Sequence, residues 1–142
     1  ALLSISAIIF YQADSADFLI ALIFGVVSNL YLHESIHYIV QSRLGYEPVF
    51  EWPNRVWVPD VALSVKEGVI SLLSPQILTL IYVGMLPLSQ IQVVDFMIVI
   101  ALIFNLTGGF RDIAWAIRRL LWPEGHLVLV DSEGREFISF PK

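Results

Sequence analysis

Between Phe18 and Val40 the chain runs for 23 residues with one formally charged side chain, Glu34, and that residue stands between two histidines, His33 and His37. A stretch this long and apolar is constrained to be a helix. About 20 such residues cross the hydrocarbon of a bilayer, where backbone groups must bond within their own segment. On a helix, positions four apart share a face and lie about 6 Å apart along the axis. His33 and His37 can therefore aim two imidazoles at one point, with Glu34 one position round. The pattern is H-E-x-x-H, in which two histidines hold Zn²⁺ and the glutamate serves as general base. The plainer alternative is a pair of buried histidines that satisfy packing contacts, with Glu34 a structural partner for Arg43. Ionisable groups inside an apolar span are costly and concentrate at functional sites, which favours the metal reading.

Composition narrows the options. At 142 residues the length fits one domain, 1–142. An apolar content of 57%, only 15% charged residues and a mean hydropathy of +0.76 are too greasy for an ordinary soluble domain. A net charge of −5 argues against a nucleic-acid partner, which needs a basic face. There is no cysteine, and there are only three histidines, so a zinc site must draw on His, Asp and Glu. Two histidines and one carboxylate would leave an open position for water, the arrangement of catalytic zinc.

Four apolar stretches stand out: Ala1–Tyr11, Phe18–Val40, Val69–Leu88 and Val93–Leu106. The first is too short to span and reads as the end of a helix. If each stretch crosses once, Arg43, Arg55, Lys66, Arg111, Arg118, Arg119, Arg135 and Lys142 all fall on one side. Asp14, Asp17 and Asp95 fall on the other, with no basic residue. This positive-inside bias makes residues 43–68 and the C-terminus cytoplasmic, in what reads as a prokaryotic cell membrane. The expected fold is an α-helical integral membrane protein with about four membrane helices, the first one truncated.

The connecting segments carry structure of their own. Residues 44–66 form a β-rich insert: Val49–Trp52 and Arg55–Val58 flank the turn pair Pro53-Asn54, and Val61–Val65 offers a third strand. Prolines at 48, 53 and 59 confine these to edge or irregular strands. Trp52 and Trp57 suit a membrane interface. Residues 113–122 place apolar side chains at 113, 116, 117, 120 and 121 opposite Arg118 and Arg119, the pattern of an amphipathic interfacial helix. Pro123-Glu124-Gly125 ends it, and residues 126–140 read as a β-hairpin tail.

A third zinc ligand must arrive at the depth of the histidines, near the cytoplasmic end of their helix. The candidates on that side are Asp112, His126, Glu51, Asp60 and Glu67. Asp112 is favoured because the preceding span descends to that level, although it also suits the N-cap of the 113–122 helix. Asn105, a polar residue in an apolar span, could bind substrate or the oxyanion, hold Asp112, or bond a neighbouring helix. Ser74-Pro75 should kink the third span, either lining the catalytic cavity or as a tolerated bend. The strands of the 44–66 insert could pair with an extended peptide or merely cap the bundle.

H-E-S-I-H late in a membrane helix, a β-rich loop, a Ser-Pro-bearing helix, then Asn105 and Asp112 after the next span resemble a family of small zincin-like integral membrane metallopeptidases. These are in turn similar to the site-2 proteases. The resemblance covers the chain from about Phe18 to the C-terminal hairpin. It implies zinc held by His33, His37 and Asp112, Glu34 as general base, and a membrane protein or peptide as substrate within the lipid bilayer. The site-2 proteases set their aspartate in an Asn-Pro-Asp-Gly-like motif, whereas this chain has Asn105-Leu106-Thr107-Gly108-Gly109-Phe110-Arg111-Asp112. That departure favours the smaller family and weakens any transfer of site-2 substrate rules. The expected activity is that of a zinc metalloendopeptidase. The rival readings are a non-catalytic zinc-binding or zinc-transporting membrane protein and a catalytically dead scaffold.

Overall fold

The computed structural model describes residues 15–51, 55–133 and 135–140. The expected helix end at Ala1–Tyr11, Trp52 and the turn pair Pro53-Asn54 lie outside these residues. The chain is mostly helical, with two small sheets. Its elements are α1 (Ser15–Arg43), β1 (Val49–Glu51), β2 (Arg55–Trp57), β3 (Val61–Ser64), α2 (Val65–Leu73), a 3₁₀ turn (Ser74–Gln76), α3 (Ile77–Met85), α4 (Gln92–Leu121), β4 (Leu127–Val130) and β5 (Glu136–Ser139). Among the described residues, three helical segments are long and apolar enough to cross a membrane: Ser15–Arg43, Val65–Met85 and Gln92–Leu121.

The helices begin and end for local reasons. α1 stops where Gly45 takes φ = 90°, so that its N–H reaches the Ser42 carbonyl and the Tyr46 N–H reaches that of Gln41, a Schellman closure. α2 starts on a capping box. Ser64 Oγ accepts from the Glu67 N–H while a Glu67 carboxylate oxygen accepts from the Ser64 N–H. Between α2 and α3, Ser74–Gln76 narrows to 3₁₀ geometry around Pro75, which is the break the Ser-Pro pair predicts. α4 ends at Leu121, with Trp122 extended ahead of Pro123.

One expectation is corrected. Residues 113–122 do not form a separate interfacial helix; α4 continues through Gly108-Gly109 to Leu121 in a single run of 30 residues. Neither glycine takes a positive φ. A Cβ at Gly109 would overlap the Gln76 side-chain amide, so this glycine admits a neighbouring side chain and does not bend the helix. The faces of this segment differ from those expected in part. Arg119 is buried, while Ile117, Leu120 and Leu121 point outward; Ala116 is buried and Arg118 exposed, as the pattern predicts.

α1 and α4 run in parallel and the α2–α3 unit runs against both. Gly25 abuts Met97 and Ile100, and His33 reaches Asn105 and Asp112, so the numbers rise together along α1 and α4. By contrast Asn29 meets Tyr82, and His37 meets Ser71. Apolar packing is concentrated at one end, in Leu78, Tyr82, Ile98 and Ala101 and in Ala21, Phe96 and Ile100. At the other end most buried positions turn polar: Asn29, His33, Glu34, His37, Gln41, Ser71, Asn105 and Arg119, beside Val58, Ala116 and Val128. Large apolar side chains such as Leu19, Phe24, Val27, Leu32 and Ile39 of α1 face outward. Apolar outside and polar inside is the distribution suited to a helix bundle in lipid.

The strands gather at the polar end. β1 and β2 pair antiparallel, with Phe50 opposite Val56. The third strand of the insert does not join them. β3 pairs instead with β4, and β4 with β5, in an antiparallel sheet that ties the insert to the C-terminal hairpin. Asp60, at φ = 57°, turns the chain into β3. Its N–H bonds the Val130 carbonyl and its carboxylate accepts from the Ser132 N–H.

Candidate metal centre

α1 buries a row at four-residue spacing: Ala21, Gly25, Asn29, His33, His37 and Gln41. Its lower members face α4 and the α2–α3 unit. Each histidine is fixed through Nδ1. The His37 Nδ1–H donates to the Ser71 carbonyl at 2.9 Å, an acceptor only, which sets the tautomer. The His33 Nδ1–H donates to Asn105 Oδ1 at 3.0 Å. The orientation of that amide follows from its other end, where Nδ2 donates to Thr79 Oγ1 at 2.9 Å and points at the Pro75 carbonyl. With both Nδ1 atoms occupied, both Nε2 atoms remain to serve as ligands.

Those Nε2 atoms converge on Asp112. Its Oδ2 lies 3.0 Å from His33 Nε2 and 3.5 Å from His37 Nε2, and one donor atom from each residue falls within 4.8 Å of the others. Donors bound tetrahedrally to zinc at about 2.0–2.1 Å sit roughly 3.4 Å from one another, so the two measured separations bracket what a zinc site requires. Among the described residues this is the one grouping of three potential ligands. Asp112 lies in the middle of α4 and is no N-cap.

The other candidate ligands lie outside this grouping. Glu67 closes the Ser64 capping box, and Asp60 holds the Ser132 N–H. Glu51 sits 3.8 Å from Arg55 on the outer hairpin. His126 donates from Nδ1 to the Pro123 carbonyl and packs edge-on against Trp122.

The kink explains the His37 contact. A helical residue donates its N–H to the carbonyl four positions back, and Pro75 has no N–H. The carbonyl four back from Pro75 is that of Ser71. It accepts instead from Ser74 Oγ at 2.8 Å and from His37. Ser71 Oγ in turn accepts from Gln41 Nε2 at 2.9 Å, which seats α2 against α1.

Glu34 lines the same cavity, whose volume is about 910 Å³ and whose walls include His33, His37, Asp112 and the strand residues Val56 and Trp57. Arg43 does not reach it. The titratable groups around its carboxylate are His33, His37 and Asp112, and the backbone amide of Val56 lies beside it. A strand turns alternate amides to opposite edges, so the edge of β2 that faces Glu34 is the one away from β1.

Asn105 is the site residue whose position differs most from an oxyanion donor. It is fully buried, it is not part of the cavity wall, and its amide is committed to His33, Thr79 and Pro75. It positions His33 and has no donor left for a substrate. Arg119 had no part in the expected site, yet it lines the cavity and is 7% exposed.

No family model matches the chain, and neither the curated proteins nor the solved structures contain a significant match.

Proposed function

We propose that this chain is an integral membrane zinc metalloendopeptidase that hydrolyses peptide bonds in a cavity near the cytoplasmic face. The observation that carries the reading is the convergence of His33 Nε2, His37 Nε2 and Asp112 Oδ2, with both imidazoles fixed from behind and Glu34 on the same cavity wall. The donor set suits zinc: two neutral imidazoles and one carboxylate leave room for a water and a substrate oxygen. Zinc bound there would act as a Lewis acid, acidifying a water and polarising the scissile carbonyl.

The remaining chemistry belongs to the chain. Glu34 takes the proton from the attacking water and passes it to the departing amine, a task suited to a carboxylate that, among the described residues, has no Lys or Arg beside it. The edge of β2 away from β1 lies beside Glu34, where an extended peptide could add as a strand and present its carbonyls to the site. The substrate would be a membrane protein or peptide with an unwound segment, since a helical peptide bond is shielded by its own hydrogen bonding. The membrane setting rests on the three long apolar helices, and the orientation on the basic residues gathered at the strand-bearing end. The reading accords with the resemblance to the small zincin-like metallopeptidases.

The test is a comparison of wild-type protein with Glu34→Gln in lipid nanodiscs. Both should hold one zinc per chain, and only the wild type should cleave an extended peptide. A loss of about 10²–10⁴-fold is expected on removal of a general base. Equal cleavage by the two proteins would defeat the mechanism. Zinc content near zero in both would defeat the metal centre. Zinc passage through liposomes without cleavage would favour the transport alternative.

A further inference from the structure

We infer that Arg119 recognises a carboxylate carried by the peptide substrate, within the cavity that holds His33, His37 and Asp112. The inference deepens the proteolytic reading and rests on it for the identity of the ligand as a peptide. Arg119 lies seven positions after Asp112 on α4, two turns or about 10.5 Å of rise toward the strand-bearing end. It is 7% exposed, and its Nε and Nη1 atoms have no hydrogen-bond partner. No carboxylate among the described residues lies within ion-pair distance of it. Glu136 of β5, exposed on the same cavity wall, is the acidic group whose charge it feels.

The fold makes room for this guanidinium. Gly68 of α2 faces it, and a Cβ there would overlap Nη1 and crowd Cζ. A glycine and an inward arginine thus combine at one point of the wall, while the apolar side chains of the same helical turns, Ile117, Leu120 and Leu121, face outward. A buried cation without a partner is disfavoured unless an anion completes it. The planar fork of arginine matches a carboxylate through two parallel hydrogen bonds. The inward direction, beneath the strands and away from the outward apolar face, favours a peptide over a lipid headgroup. An extended chain advances about 3.3 Å per residue, so the carboxylate would sit roughly two to four residues from the scissile bond. It can come from an Asp or Glu side chain or from the chain's own C-terminus.

Binding separates this inference from catalysis. The protein is reconstituted in nanodiscs with Glu34→Gln to stop turnover, and fluorescent extended peptides are titrated by anisotropy. The probes carry Glu or Gln at each position two to four residues from the central bond, and a free or amidated C-terminus. A Glu probe or a free C-terminus should bind about tenfold or more tightly than its neutral counterpart, as expected for a charge-assisted pair. Which probe shows the preference identifies the source of the carboxylate. Arg119→Gln should abolish the preference. Gly68→Ala should also abolish it, because the added methyl displaces the guanidinium while the charge is kept. This second variant guards against a fold lost with Arg119. Glu136→Gln should leave the preference intact or increase it.

The inference is overturned if no probe shows a preference, or if the preference survives both Arg119→Gln and Gly68→Ala. It is equally overturned if the preference appears in neutral nanodiscs and vanishes in phosphatidylglycerol ones, because the occupant would then be a lipid phosphate. With Glu34 restored, Arg119→Gln should raise KM for the acidic peptide about tenfold relative to its Gln counterpart. A wild-type protein that prefers acidic probes but cleaves none would end the proteolytic reading and leave the Arg119 anion site standing. Cleavage without any preference would do the reverse.

Discussion

His37 donates its Nδ1–H to the carbonyl of Ser71 at 2.9 Å, and that carbonyl is available because Pro75, four residues on, has no N–H to offer it. The break between α2 and α3 and the tautomer of a proposed zinc ligand are therefore one feature. The same turn serves the other histidine. Asn105, which accepts from His33, is itself held by Thr79 and the Pro75 carbonyl. One proline-centred turn thus stands behind both imidazoles, which are brought by α1, while α4 brings Asp112.

Pro75→Ala tests this coupling. The new N–H at position 75 would compete with His37 for the Ser71 carbonyl and straighten the α2–α3 segment. Zinc affinity, measured by chelator competition, should fall by about 10–100-fold, the usual effect of losing a group that orients a ligand. Helical content and thermal stability should hold or rise, since proline in a helix interior is itself destabilising. Unchanged zinc affinity would reduce Pro75 to a tolerated kink.

Asn105 gives a second test with an internal control. Asn105→Ala removes the acceptor of the His33 Nδ1–H, at a cost of about 1–3 kcal/mol for a buried polar group left alone. Zinc affinity should fall by about 10–100-fold. Asn105→Asp keeps an oxygen facing the imidazole and should retain far more of the affinity. If the two variants bound zinc alike, Asn105 would be a packing residue with no part in holding His33.

The parts of this arrangement that could be read from the sequence are the local ones. The four-residue spacing of His33 and His37, the Ser-Pro break and the alternating strands each follow from a few neighbouring residues. Asp112 was reachable because charge asymmetry fixed the depth at which it arrives. Three features were not legible. The partner of Asn105 is 72 positions away, and a polar residue in an apolar helix announces a contact without naming it. β3 pairs with β4 across the α2–α4 region, and no turn sequence records that pairing. The sequence pattern puts Arg118 and Arg119 together on one polar face, and nothing local distinguishes them. Arg118 is exposed over Trp115 and Trp122, and Arg119 alone turns into the cavity.

Asp112 can be separated from its rivals by zinc content. Asp112→Asn should weaken zinc binding by more than the roughly 10–100-fold expected for an orienting residue, since it replaces the anionic oxygen of the proposed centre by a neutral amide. Asp60→Asn, Glu67→Gln and His126→Ala should each leave one zinc per chain, because those side chains serve a turn, a cap and a ring cluster. Loss of zinc in any of these three, with retention in Asp112→Asn, would move the third ligand elsewhere.

The approach of α1 to α4 gives a last prediction, about stability. At Gly25 a Cβ would lie 2.9 Å from the Met97 carbonyl oxygen and 3.0–3.1 Å from the Ile100 side chain. The first of these is backbone and cannot swing away, so Gly25→Ala must push the two helices apart. A loss of about 1–3 kcal/mol is expected, as for other overpacked interiors, measured by denaturant unfolding in mixed micelles. The two helices carry the ligands between them, so zinc should restore stability to the variant. Metal at about 100 times its Kd adds roughly 2.7 kcal/mol to any state that binds it alone. That rescue should be absent when Asp112→Asn is combined with Gly25→Ala. An alanine at position 25 that left stability unchanged would mean that the helices are not held at this separation by the glycine.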